Sequence, residues 1–474
     1  MFENVLTKQG KLKILIDTER FDELLSEHSE AAEKLLEYSN AKMFDLLRSP
    51  FDTRYDILRR VAEFKAHYDE NGNLASIITS REKSETTVYS LYRTKDIEST
   101  AAKVYEKESL TEDEIGSVLL VFIQTELHQS DESDLMVTTN DIIIKNRFWF
   151  ESHFSCLPVN IATLDEALEF MDLFAKFRGT YYVGSNSLYN KGGWYLLSFK
   201  TKVPTFQLPW SSVVLGLPLK NGLEMLQGFS NRFTDLLRAV DEIGFQYYLG
   251  VGNDTLDAMV YHLNYFITLV TGIFDSLAKL SVIRYDLKIN NVDFEKQTGL
   301  TKVTLRKPIK RKFPFLEQLT TKNQELSEFI ASEQNFVELI YQLRDKILHR
   351  ERLPQSTFQN HSNEGRWKAN FVEIPVEVAA SISQFDRKHE HEFVTEWGVY
   401  GLATKTFIEP FHFVKASARK LTDFCNNYFE LLQFGQLLEM YPEVKRKAEE
   451  NKTSKTQVPF PKQLEIFEKC HLGF

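Results

Sequence analysis

The longest periodic stretch of the chain runs from about residue 254 to 285, and it limits what the rest can fold into. Leu256, Leu263, Phe266, Val270, Phe274 and Leu277 keep helical spacing there, which gathers them into one stripe of an α-helix. Asn253 or Asp254 supplies the expected cap. A helix of this length cannot bury its stripe alone, so it demands antiparallel partners. Partners are at hand. Residues 315 to 332 and 333 to 350 read as two shorter helices. Phe411, Val414, Ala418, Leu421, Cys425, Tyr428 and Leu432 form another stripe, with Pro410 suited to a first turn and Gly435 to a stop. A bundle of at least four helices follows.

The preceding half has a different texture. Residues 18 to 48 open with DTERFDELL and stay charged and rich in Leu and Ala, which predicts one or two helices ending near Ser49 and Pro50. VAEFKAHY and ASIIT alternate around an Asn-Gly pair, the pattern of a β-hairpin, and TTVYSLYR adds a strand. Residues 111 to 130 read as a capped helix and DIIIKNRFWFESHF, from 141, as a strand. ATLDEALEFMDLFAKF, from 162, is an amphipathic helix flanked by strand-like YYVG and GGWYLLSFKTKV. A helix at 221 to 242 leads through Gly244 and the GVGND turn into a domain boundary. Gly192-Gly193 precedes no Lys-Ser or Lys-Thr pair, so no phosphate-cradling loop is indicated.

The expected fold class is therefore α+β overall and predominantly α. Residues 1–249 form an N-terminal α+β region and 250–440 an antiparallel helical bundle. A β-hairpin or loop is inserted in the bundle at 358 to 378, and 441–474 is a polar C-terminal tail.

Composition narrows the class. A chain of 474 residues, 43% hydrophobic and 26% charged, has the make-up of a globular protein with two or three domains. No apolar run approaches the roughly 18 residues of a membrane span, and the first residues lack the basic start and apolar core of a secretion signal. The expectation is a cytoplasmic protein without a membrane partner. Cys156, Cys425 and Cys470 are too few and too far apart for a disulfide scaffold or a cysteine zinc site. A net charge of −10 argues against coating nucleic acid through bulk charge. Between 250 and 440, however, 23 Lys and Arg stand against 24 Asp and Glu, so most of the acidity lies elsewhere.

Within the bundle region, Phe336 to Arg352 reads FVELIYQLRDKILHRER. Phe336, Leu339, Ile340, Leu343 and Ile347 make one helical stripe. At about 100° per residue, Arg344 falls at its border, while Asp345 and His349 share the side turned away. Arg60 and His67 satisfy a looser version of the spacing, but Val61 follows that arginine and RRVAEFKAHY alternates like a strand.

Arg344, Asp345 and His349, as R-D-x-x-x-H late in a run of helices, resemble the signature of the HEPN superfamily (higher eukaryotes and prokaryotes nucleotide-binding domains). The resemblance covers roughly residues 250 to 440. It implies a small helical bundle that pairs as a homodimer, two copies of the motif lining one cleft. It further implies a metal-independent endoribonuclease of a toxin or defence kind, with an antitoxin or regulatory partner; other members keep the fold and lack the activity. Neither a cofactor nor a metal is called for.

Cutting RNA without a metal uses the neighbouring 2′-hydroxyl as nucleophile. That needs a base, an acid for the 5′-oxygen and positive charge on the phosphate. Histidine titrates near neutrality and can be acid or base, and the arginine fork matches phosphate geometry. By the resemblance, His349 is the acid or base, Arg344 holds the scissile phosphate, and Asp345 orients the histidine or a water. The same residues also fit a solvated helix end, where Arg and His complement the dipole. The alternative function is a non-catalytic nucleotide- or protein-binding module.

Three further features are weighed the same way. Lys302, Arg306, Lys307, Lys310, Arg311 and Lys312 cluster before Phe313, and Arg350 and Arg352 follow the motif. These are candidate RNA-backbone contacts, or a solvated basic loop. His389 and His391, in DRKHEHE, alternate and share a face only in a strand, which favours charged surface over a metal site. The aromatic pairs Phe148-Trp149-Phe150, Tyr181-Tyr182 and Trp194-Tyr195 could stack bases, but core packing suits most of them better.

Overall fold

The computed structural model describes residues 5–17, 21–22, 24–25, 30–48, 59–60, 63–68, 74–83, 86–129, 133–153, 160–182, 188–288, 298–300, 314–349, 353–362, 365–386, 394–402 and 404–453, with backbone alone between 59 and 94. In chain order, β1 (Leu12–Ile16), α1 (Glu30–Glu37), β2 (Phe44–Arg48) and β3 (Arg59–Arg60) come first. The antiparallel strands β4 (Glu63–Tyr68), β5 (Leu74–Lys83) and β6 (Thr86–Arg93) follow. Next are α2 (Thr94–Tyr105), α3 (Glu112–Gln129), β7 (Leu135–Val137), α4 (Asp141–Lys145), α5 (Arg147–His153), β8 (Ile161–Ala162) and α6 (Leu164–Phe177).

β1 is the middle of a five-stranded parallel sheet in the order β3-β2-β1-β7-β8. Its inner strands β1, β2 and β7 are short, largely apolar runs because both faces are covered. Leu12, Ile14 and Ile16 of β1, Phe44 and Leu46 of β2, and Leu135 and Val137 of β7 enter one core with α1 and α6. Leu15, Leu47, Met136 and Ile161 enter another, with α2, α3, α4 and α5. The hairpin expected around Asn-Gly is present as β4 and β5, with β6 beside it.

Two expectations before α6 are corrected. Residues 18 to 48 are not wholly helical, since Phe44–Arg48 is β2, paired in parallel with β1. DIIIKNRFWFESH is helical, not a strand. Asn140 caps its start, its side chain accepting the amides of Ile142 and Ile143 at 3.1 and 3.2 Å. That local bond outweighs the strand preference of three isoleucines. α3 and α6 are as expected. Each has a capping box, Thr111 with Glu114 and Thr163 with Glu166.

Beyond β9 (Tyr181–Tyr182) and β10 (Leu188–Tyr189) the chain is helical: α7 (Lys191–Lys202), α8 (Gln207–Val214), α9 (Gly222–Tyr248) and α10 (Asn253–Arg284). α7 replaces the strand expected for GGWYLLSFKTKV. Asn190 Oδ1 takes the Gly193 amide at 2.8 Å, and Trp194, Tyr195, Leu197 and Phe199 are buried. α9 continues through Gly244 to Tyr248. That glycine marks a close approach rather than a break, for a Cβ there would stand 2.8 Å from Phe411 and 3.0 Å from Leu173. The boundary expected at 249/250 falls in the turn between α9 and α10, and buried residues on both sides belong to a core reaching from Val5 to Val444. α10 begins one residue early. Thr255 Oγ1 accepts the Gly252 amide at 3.0 Å, so Asn253 is a helical residue and not the cap.

α11 (Pro314–Lys322), α12 (Gln324–Ser332) and α13 (Gln334–His349) follow, three helices where two were expected. Asn323 makes the extra break. It caps α12 through the Leu326 amide at 2.9 Å and donates to Tyr285 Oη and the Leu431 carbonyl at 2.6 and 2.7 Å. The expected hairpin is β11 (Gln355–Ser362) and β12 (Gly365–Ile374). After α14 (Val376–Ile382), β13 (Val399–Leu402) and β14 (Lys405–Ile408) complete a four-stranded antiparallel sheet. α15 (Pro410–Leu431) carries the predicted stripe, from Phe411 to Leu432, all buried, with Pro410 in its first turn. It stops at Gln433, in the left-handed region at φ 55°, whereas Gly435 lies inside α16 (Phe434–Glu439). α17 (Pro442–Thr453) extends helix into the expected tail.

The protein is thus α+β and predominantly helical. α10 is long and apolar enough to cross a membrane, and 67% of its most apolar stretch is buried inside the protein.

Candidate functional site

α13 packs as its periodicity dictates. Phe336, Leu339, Ile340 and Leu343 are at most 1% exposed and Ile347 is half-buried. Phe336 meets Phe274 of α10 edge to face at 5.8 Å. α13 runs antiparallel to α10, since Tyr341 donates to Asp275 Oδ1 at 2.6 Å while Gln355, beyond its end, donates to Asp257. Burial and the Asp275 carboxylate push the Tyr341 phenol well above its ordinary pKa, so it remains a donor at any working pH.

One turn on, the Arg344 guanidinium lies 5.8 Å from the Tyr341 ring centroid. Its Nη1 is 3.9 Å from Asp345 Oδ1, with 37% and 63% of the two side chains exposed. Both face outward, as the sequence placed them. His349 is the last residue of the same helix, but its side chain lies outside the described residues. So do Lys302, Arg306, Lys307, Lys310, Arg311, Lys312, Arg350 and Arg352, and also His389 and His391, while Asp386, which opens DRKHEHE, is described and accepts the Trp397 amide at 3.1 Å. Of the motif, the structure therefore brings Arg344 and Asp345 together. Among the described residues, no group of three or more His, Cys, Asp or Glu is placed to hold a metal.

Most of the aromatic residues are core, as expected: Phe150 is buried, whereas Phe148 and Trp149 are half-buried. Trp194, Tyr195, Tyr181 and Tyr182 are between 2% and 9% exposed, and Trp194 Nε1 donates to the Tyr182 carbonyl at 2.9 Å. Lys176 of α6 sits among them, 3.8 Å from the Trp194 ring centroid. Burial opposes its charge, yet Asp172 and Asp241, at 2.5 and 2.9 Å, outweigh it and hold the ammonium above its usual pKa. Tyr195 Oη donates to the same Asp241 at 2.7 Å.

Sequence reasoning missed the carboxyl edge of the parallel sheet. From β1 the chain moves outward to β2 and β3, then returns to β7 on the other side, so β1 and β7 flank a switch in strand order. In open parallel sheets, ligands bind in the crevice at such a point. Asp17 follows β1 there, 5% exposed, and accepts the Thr138 hydroxyl at 2.7 Å. Thr138 Oγ1 in turn accepts the Asn140 amide at 3.1 Å, and Asn140 Nδ2 donates to Tyr105 Oη and Ser117 Oγ, both at 3.1 Å. The helix starts at this edge are closed by the chain's own side chains, α4 by Asn140 and α6 by Thr163 and Glu166, the latter also taking Arg147. The available signal was an apolar run ending in Asp, ILID, and a second ending in polar residues, LMVTTND.

No family model matches this sequence, and neither a curated protein nor a solved structure matches it.

Proposed function

We propose that the chain is a metal-independent endoribonuclease of the toxin or defence kind, built on a HEPN-like helical bundle. Arg344 holds the scissile phosphate, His349 transfers the proton, and Asp345 orients the catalytic groups. The observation that carries this reading is the disposition of α13. Its apolar stripe is buried against α10 while Arg344 and Asp345 project outward on the helix that ends at His349. One chain offers one motif histidine, and general acid and general base are two roles. Two copies meeting across a two-fold axis would supply both, so a homodimer belongs to the proposal, as does an antitoxin or regulatory partner.

The test is cleavage of a defined RNA in the presence of a chelator by wild type, Arg344→Ala and His349→Ala. Cleavage by wild type and its loss in both variants is expected. Equal RNA integrity in all three would end the proposal.

A second reading has its own observation, the switch point at Asp17. In it the bundle is a non-catalytic nucleotide- or protein-binding module, and the N-terminal layer holds a ligand at the sheet edge. Ligand-dependent stabilisation that Asp17→Ala abolishes, in a protein that leaves RNA intact, would favour it.

A further inference from the structure

Large apolar side chains stand in solvent where α8, the start of α9 and the end of α16 come together. Leu208 is 39% exposed, Val214 57%, Leu223 46% and Met440 73%. Trp210, Val213 and Leu219 are half-buried and packed against the core. These elements rest on one another. α16 and α17 pack on α8, and Gly222 draws the end of α8 to the start of α9, since a Cβ there would stand 2.7 Å from Leu219 and 3.5 Å from Val213. From Val203 to Leu219 the sequence carries no charged residue at all. A lone exposed leucine needs no explanation, but a cluster of apolar side chains marks a surface that something covers.

The chain itself carries a matching segment. α17, seated on α8 and anchored in the core by Val444, is where the described residues end, at Thr453. Residues 454–474 lie outside them. By sequence, the expected polar tail is polar only to about Gln457. After Val458-Pro459-Phe460-Pro461, the residues Leu464, Ile466, Phe467, Cys470 and Phe474 recur at helical spacing, with Lys462, Glu465 and Lys469 on the other side. From Thr453 to Leu464 the chain can reach about 36 Å at ~3.3 Å per residue. That is about three times the length of α8, roughly 12 Å.

We propose that residues 464–474 dock on this patch within the same chain, their apolar stripe over Leu208, Val214, Leu223 and Met440. Burial of apolar area on both sides drives the contact. The tether selects the occupant: a segment on a linker of about ten residues is present at an effective concentration in the millimolar range, which a second copy reaches only when the whole protein is that concentrated. α8 and α16 therefore form a receptor for the C-terminal segment. The inference stands apart from the ribonuclease reading.

The test uses the thiol that this segment carries. It is made in the full chain with Cys156→Ser; Cys425 is enclosed in the core, so Cys470 is the reacting thiol. Val214→Cys, Leu223→Cys and Met440→Cys each place a second thiol on the patch, and Glu108→Cys places one on the exposed loop between α2 and α3. Mild oxidation of dilute protein is followed by non-reducing electrophoresis and peptide mass. A disulfide needs its two Cα atoms about 4.4–6.8 Å apart. Docking therefore predicts that Cys470 bridges at least one patch position, within one chain, about tenfold or more faster than it bridges position 108. Leu464→Asp combined with Phe467→Asp should bring that rate down to the control. The patch residues are exposed, so an unchanged melting temperature checks folding. Equal rates at patch and control, or a fast rate that survives the two aspartates, would overturn the docking. So would a bridge that forms only between two chains, which would assign the patch to a second copy.

Discussion

The phenol of Tyr341 donates to Asp275 Oδ1 at 2.6 Å, tying the motif helix to the longest helix of the protein one turn before Arg344. Tyr341→Phe keeps the ring and leaves Asp275 without that donor. The expected cost is about 1–2 kcal/mol of unfolding free energy, read by urea denaturation. RNA cleavage should fall as well if Arg344 is held for phosphate by this contact. A variant as stable and as active as wild type would show that the bond positions nothing.

Gly244 lets α9 approach α6 and α15. Gly244→Val places carbons where Phe411 and Leu173 already stand, at 2.8 and 3.0 Å from the first of them. Overpacking of this kind typically costs about 1–3 kcal/mol, and the loss should appear as a lower denaturation midpoint. A neutral result would mean that the three helices separate easily.

Asn140 joins the first turn of α4 to Tyr105 and Ser117. Asn140→Ala removes a cap and leaves buried polar groups without a partner, which together should cost about 2–4 kcal/mol. Chemical denaturation measures it. A loss under about 0.5 kcal/mol would place Asn140 at a surface of no consequence.

Lys202 gives a pH signature. The residue is half-buried, and burial, reinforced by the charge of Lys176, lowers its pKa from 10.5 to about 8. Between those two values the unfolded chain binds more protons than the folded one, so this group makes stability rise with pH from about 8 to 10.5. Lys202→Met should flatten that rise and stabilise the protein at pH 7 by on the order of 1 kcal/mol or more. Parallel melting curves from pH 7 to 10 would refute this if wild type and variant kept a constant offset.

Much of the helical half was legible in the sequence because helix periodicity is local. The stripe from Leu256 to Leu277, and those of α13 and α15, needed only a count of three and four. The same count put Arg344 and Asp345 outside the core. Where the reading failed, a single cap decided the matter: Asn140 turned DIIIKNRFWF into helix, Asn190 did the same for GGWYLL, and Asn323 split one helix into two. Each asparagine stood in plain view. A side-chain oxygen bonded to the backbone two or three residues on gives no periodic signal.

By itself the sequence determined which segments have one dry face, the hairpin at Asn-Gly, and the outward placement of the motif's arginine and aspartate. Tertiary structure alone decided the parallel sheet, because LKILI and LMV are too short to declare a period and become strands only when helices cover both faces. It also decided the meeting of Asp17 with Thr138 across 121 positions of chain. That pairing depends on the order in which strands are laid side by side, a long-range choice that no window of neighbouring residues contains.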